Sequence, residues 1–121
     1  FFVTKENKAF FIENNIDIDM ALERFSENEE LYLKYFNSFP EDNTYTNFIN
    51  SFKADKLWQS QNLLITFMAI VGNLSFTDLY NDSRELLKKI KNNSVSDAII
   101  LFEKLKDDYS NIIDFIENFN I

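Results

Sequence analysis

The chain has 121 residues, 45% of them apolar, with 20 acidic against 12 basic residues and a formal net charge of −8. That apolar share supports one folded domain spanning residues 1–121, while the acidic surplus repels phosphate backbones and anionic bilayers, so neither a nucleic acid nor a membrane is expected as partner. A single Gly and a single Pro leave too few turn residues for a β-sandwich or barrel, and with no His and no Cys the usual general base, the commonest metal ligand, thiolate chemistry and disulfides are all gone.

Phe1 and Phe2 precede Lys5 and Glu6 without the basic start or small-residue cleavage site of a secretory signal, so a cytoplasmic location is expected. The first residue is not Met, and the chain reads as a domain cut from a longer protein. Phe2, Ala9, Phe10 and Phe11 form a short apolar set, a brief helix ended by Glu13-Asn14-Asn15. Asp17 and Asp19 are placed to cap a short helix through Met20, Leu22 and Phe25. Ser26-x-x-Glu29 fits a capping box ahead of Leu31, Leu33, Tyr35 and Phe36. Phe39-Pro40-Glu41-Asp42 breaks that helix and can start the next, with Pro in its first turn. Tyr45, Phe48, Ile49 and Phe52 carry this next helix inward, and Lys53 to Lys56 is a polar connection.

Leu57 to Phe76 follows, holding the only Trp, one of the two Met residues and the only Gly. It is too short and broken for a membrane span, which needs roughly 20 predominantly apolar residues. Ser75-x-x-Asp78 fits a second capping box, opening a helix through Leu79, Leu86, Leu87 and Ile90, with Lys88, Lys89 and Lys91 at its C-terminal end where cations suit the dipole. Asn92-Asn93 is a turn and Ser94-x-x-Asp97 caps the last helix. There Ala98, Phe102, Leu105, Tyr109, Ile112, Ile116 and Phe119 follow the four-three spacing of a bundle seam. The predicted fold is all-α: an antiparallel four-helix bundle with a short N-terminal helical cap.

At about 100° per residue, Leu63, Phe67, Ile70, Val71 and Leu74 share the natural core face of the apolar stretch. Ile65 points away from it, flanked by Trp58, Asn62, Ala69 and Gly72, with Gln61 and Met68 at one margin. An ordinary bundle helix places charged residues there. Either this helix is buried on all sides, or its outward stripe is a contact patch for another protein. Gly72 costs about 1 kcal/mol against Ala inside a helix, which implies that another backbone comes close.

The run Ile16-Asp17-Ile18-Asp19-Met20-Ala21-Leu22-Glu23-Arg24-Phe25, followed by Asn28-Glu29-Glu30-Leu31-Tyr32-Leu33, resembles the opening of histidine phosphotransfer (HPt) domains. Gly72-Asn73-Leu74, the Leu79-Tyr80…Glu85-Leu86 helix, and Leu101-Phe102-Glu103-Lys104-Leu105 with Tyr109 fit the same order, over roughly residues 12–118. In that family the central helix carries A-H-x-L-K-G, and its exposed His relays a phosphoryl group between Asp residues of receiver domains in bacterial two-component systems. Anchored on Gly72-Asn73-Leu74, the resemblance sets the phosphoacceptor position on Ile65, the motif Leu on Phe67, the Lys on Met68 and the Gly on Ala69. Ile has no nucleophilic nitrogen and Met68 brings no cation. Thr66 is the nearest hydroxyl, without a base to activate it.

The resemblance therefore implies a degenerate module that docks a response-regulator receiver domain or a histidine kinase without carrying phosphate: no enzyme, no cofactor, no metal. Its partner-binding residues are Trp58, Gln61, Asn62, Ile65, Met68, Ala69 and Gly72. The alternative is a structural domain of a larger signalling protein that self-associates weakly through the same patch. Other constellations add no chemistry: Glu27, Glu29, Glu30, Asp107 and Asp108 read as solvated faces. A calcium loop, a Glu-x-x-His pair and a Gly-rich phosphate loop all lack a required residue. The Phe residues fall mostly on core positions.

Overall fold

The computed structural model describes residues 3–119, so Phe2 of the first apolar set, like Phe1 before it, lies outside the described residues. Among these residues there are seven α-helices: α1 (Lys5–Glu13), α2 (Ile18–Arg24), α3 (Glu29–Ser38), α4 (Thr44–Lys53), α5 (Leu57–Asn73), α6 (Thr77–Lys91) and α7 (Val95–Asn118). A 3-10 turn at Phe39–Glu41 separates α3 from α4 and holds Pro40, so the proline sits in this turn and not in the first turn of α4.

The helix starts are set by short polar side chains. Thr4 accepts the Asn7 amide at 3.1 Å, Asp17 the Met20 amide at 3.1 Å, and Asn28 the Leu31 amide at 3.0 Å. Each satisfies one of the amides that a helix leaves unpaired at its N-terminus. Asp17 does so as expected; Ser26 and Ser75 do not cap. Both lie in the left-handed region, φ 54° and 60°, where they end the preceding helix instead of opening the next.

Five helices end in the same way. After α5, the Ser75 amide bonds to the Gly72 carbonyl at 3.1 Å and the Phe76 amide to the Val71 carbonyl at 2.9 Å. That pair of bonds around a left-handed residue is the Schellman motif. It recurs at Asn15 after α1, Ser26 after α2, Asp55 after α4 and Asn93 after α6, with φ of 55°, 54°, 57° and 57°. The residue after the left-handed one is already the N-cap of the next helix at Lys56, Phe76 and Ser94. Such joints leave no room for a separate capping box. They also turn each helix back along its predecessor, as short connections do. Ser94 takes the N-cap position of α7 as expected, but its side chain makes no capping bond.

The helices α4 and α5, α5 and α6, and α6 and α7 pack as successive neighbours. Aromatic rings bring α7 onto the rest: Phe102 stacks on Phe52 of α4 at 4.9 Å, and Tyr109 stacks on Tyr45 at 3.6 Å with the rings 5° apart. Further along, Phe115 and Phe119 meet Phe11 of α1 and Phe36 of α3 edge-on at 4.9 to 5.9 Å. At 24 residues α7 is ~36 Å long, enough to touch both ends of the molecule. Its buried stripe is the expected one, Ala98, Phe102, Leu105, Ile112 and Ile116, with Tyr109 and Phe119 packed against it.

Three helices, α1 to α3, precede α4 to α7 and are tied to the corner between α5 and α6. Asp17 donates its amide to the Ser75 carbonyl and Thr77 its amide to the Asn15 carbonyl, both at 3.3 Å, in a single antiparallel bridge between Ile16 and Phe76. The buried Tyr32 phenol donates to the Leu74 carbonyl at 3.0 Å. Burial pushes that phenol well above the usual tyrosine range.

Candidate functional site

The helix α5 is not buried on all sides. Its core face is centred on Ser60, Leu64, Phe67 and Val71, each at most 1% exposed, with Leu74 following at the helix end. Leu63 and Ile70, expected on that face, are only partly buried at its flanks. Leu64 is the residue that the wheel underweighted. The opposite face is open: Trp58 is 76% exposed, Ile65 is 47% exposed, and Asn62 and Ala69 are also exposed. These four are spaced by four, three and four residues, a continuous strip. No residue of α5 is charged. Thr66 is exposed too, and its hydroxyl is spent on the Asn62 carbonyl at 3.1 Å.

Gln61, Met68 and Gly72 are half-buried along the margins of this strip. Met68, Ala69 and Gly72 come together on the wall of a cleft of about 490 Å³, faced by Met20 and Arg24 of α2 and by Tyr80 of α6. Trp58, Gln61, Asn62 and Ile65 lie outside that cleft, so the seven expected partner-binding residues divide into a ridge and a hollow beside it. Among the described residues no neighbouring helix brings its backbone against Gly72. Its neighbour is the Tyr80 ring, whose nearest atoms would stand 3.4 and 3.6 Å from an added Cβ. The Gly72 carbonyl accepts a hydrogen bond from Arg24, whose guanidinium also donates to the Ser75 hydroxyl at 2.7 Å. Arg24, the one cation among the described residues that line the cleft, is thus committed to holding the α5–α6 corner.

A polar cluster that the sequence did not single out lies between α6 and α7. Asp82 is 5% exposed, and its Oδ1 accepts from Lys104 Nζ at 2.8 Å. Lys104 also donates to Asp108 at 2.7 Å. Asp82 Oδ2 and the neighbouring Ser83 hydroxyl are sealed from solvent without a hydrogen-bond partner. Burial, then the adjacent Asp108, pushes the Asp82 carboxyl up to about 7 against the pull of Lys104. For Asp108 burial acts upward as well, but the neighbouring Asp82 carboxyl and the bond from Lys104 outweigh burial and hold it below the usual carboxylate range. Bonds to Asp108 and Asp82 raise the Lys104 ammonium.

Asp108 is therefore half-buried and bonded, not part of a solvated face; Asp107 beside it is exposed. Glu27 and Glu30 are exposed as expected, whereas Glu29 is half-buried and accepts the Val3 amide at 3.2 Å. The signal for Asp82 was available in the spacing. It falls on the stripe Leu79, Leu86, Ile90, where every other position facing inward is apolar or Ser83.

Among the described residues no group of three or more Asp and Glu is arranged to hold a metal ion, and no helix is long and apolar enough to cross a membrane. Comparison of the chain with protein-family models, with curated proteins and with solved structures gives no match.

Proposed function

We propose that this domain is a protein-docking module, an HPt-like bundle without its phosphoacceptor, that binds a response-regulator receiver domain or a histidine kinase through the outward face of α5. In this reading α4 to α7 are the four bundle helices and α1 to α3 the cap. The observation that carries it is Ile65: an apolar residue, 47% exposed, midway along an uncharged helix face. Solvated helix faces ordinarily carry charge, and a contiguous apolar strip exposed to water marks an interaction surface. Ile65 stands where the resemblance sets the phosphoacceptor. An aliphatic side chain there keeps contact area and offers no nucleophile, so binding is retained and transfer is not.

Calorimetric titration of the domain against receiver and kinase domains tests this. Micromolar binding to at least one of them is expected, with Ile65→Asp weakening it at least tenfold while the variant keeps its thermal midpoint within a few degrees. Absence of binding to any of them overturns the reading. Sedimentation at several concentrations separates it from self-association, because a homodimer through Ile65 would bury the same strip.

A further inference from the structure

We propose that Asp82, Lys104 and Asp108 form a proton-operated latch on the seam between α6 and α7, closed while one proton is held between the two carboxyl groups and released when that proton leaves for solvent. The argument begins with Asp82 Oδ2, which is sealed from water and has no donor facing it. A buried carboxylate oxygen without a donor is costly, whereas a protonated Oδ2 becomes a donor itself. Asp108 accepts from the same ammonium as Asp82, Lys104 standing 2.7 Å from the one and 2.8 Å from the other, and is the adjacent acceptor. With the proton in place, the cluster has one ammonium, one carboxylate and one neutral carboxyl, and its charges cancel. Without it, one partly exposed ammonium faces two carboxylates, that of Asp82 buried, and the excess negative charge has no further cation to meet it.

The surroundings leave this balance to the three residues themselves. From α7, Lys104 and Asp108 face Asp82. The helix α5, also packed on α6, has no ionisable residue. On α6 itself, Asp78 is bonded by Asn15 at 3.0 Å, and Arg84 and Glu85 pair with each other at 3.7 Å. Glu13 of α1 and Asp114 border the cleft that Asp78 and Asp108 share, and both carry the same sign as Asp108.

The direction of the effect follows from linkage. The folded protein holds the proton up to about pH 7, whereas the unfolded chain releases it in the ordinary carboxylate range near pH 4. Between those limits raising the pH favours the unfolded state, so the latch's contribution is lost progressively from about pH 4 and is gone above about pH 7. The Asp108 carboxylate acts oppositely, since its contribution fades as the pH falls through its lowered value.

The test uses the whole chain. Carboxyl carbon resonances followed by NMR from pH 3 to 9 should give an Asp82 midpoint near 7, about three units above an ordinary Asp. The thermal midpoint should fall as the pH rises from 5 to 8, and Asp82→Asn, which keeps the shape and supplies permanent donors, should lose that fall. An Asp82 midpoint near 4, or an Asp82→Asn variant with the wild-type pH slope, overturns the latch. Should that variant not fold, the Asp82 resonance of the wild-type chain decides alone.

Discussion

Arg24 donates a hydrogen bond to the carbonyl of Gly72, joining the end of α2 to the end of α5 across 48 residues of chain. A second bond from the same guanidinium reaches the Ser75 hydroxyl. Both bonds leave one nitrogen, Nη1, whose two hydrogens are fixed in the guanidinium plane, whereas a lysine ammonium would have to reach the same spot on a flexible stem. Arg24→Met keeps the apolar stem and removes both bonds. A loss of about 1 kcal/mol is expected, since the site is partly open to water. Arg24→Lys should recover only part of it. Chemical denaturation of the three proteins measures both differences, and an Arg24→Met variant as stable as the wild type would show that the α5–α6 corner is held without this clamp.

Gly72 invites a substitution in the opposite direction. Its backbone is helical, and an added methyl would meet the Tyr80 ring at 3.4 Å, an ordinary contact. Gly72→Ala should therefore stabilise the fold by about 0.5 kcal/mol, the low end of the gain from replacing a helical glycine, because Gly72 is the penultimate residue of α5. Gly72→Leu should destabilise it, because the larger side chain must displace Tyr80 and reshape the cleft wall. If the Ala variant is less stable than the wild type, the Tyr80 ring cannot yield even the small amount the methyl asks.

Ser83 is fully buried on α6 with its hydroxyl unpaired. Ser83→Ala removes a polar atom that has lost its water, and it places a better helix former at the same spot. A gain of about 1 kcal/mol is expected from the shift in the denaturation midpoint. A loss would mean that the hydroxyl has a bonded partner in solution.

The parts of this molecule that could be read from sequence are those governed by one helix at a time. The seam of α7 and the outward direction of Ile65 both follow from a period of 3.6 applied to a single segment, whereas the choice between a covered and an open outward stripe does not. What was misread depends on two segments meeting. Ser26 and Ser75 match the capping-box pattern as well as any serine could, yet each occupies the left-handed stop of the helix before it. Nothing local distinguishes a serine that opens a helix from one that closes another three residues earlier. Leu64 was underweighted because the wheel centres a face on its own helix, whereas the neighbours on either side decide which flank is covered. Asp82 is the instructive case. A carboxylate in an apolar stripe looks like an interruption until its partners, Lys104 and Asp108, arrive from a different helix.

The left-handed joints bear on the unfolded chain as much as on the folded one. Five helices stop at Asn15, Ser26, Asp55, Ser75 and Asn93, where glycine is the common choice, and the one glycine of the chain lies elsewhere. A residue with a Cβ gives up about 1 kcal/mol or more to adopt that conformation. It also has fewer conformations to lose on folding, by a roughly similar amount, about 0.4 to 1 kcal/mol. The two effects nearly cancel in stability but not in stiffness. A residue with a Cβ seldom visits the left-handed region in the disordered chain, so each reversal is drawn only as its helix closes the two terminal bonds, and once closed it is held more narrowly than a glycine would hold it.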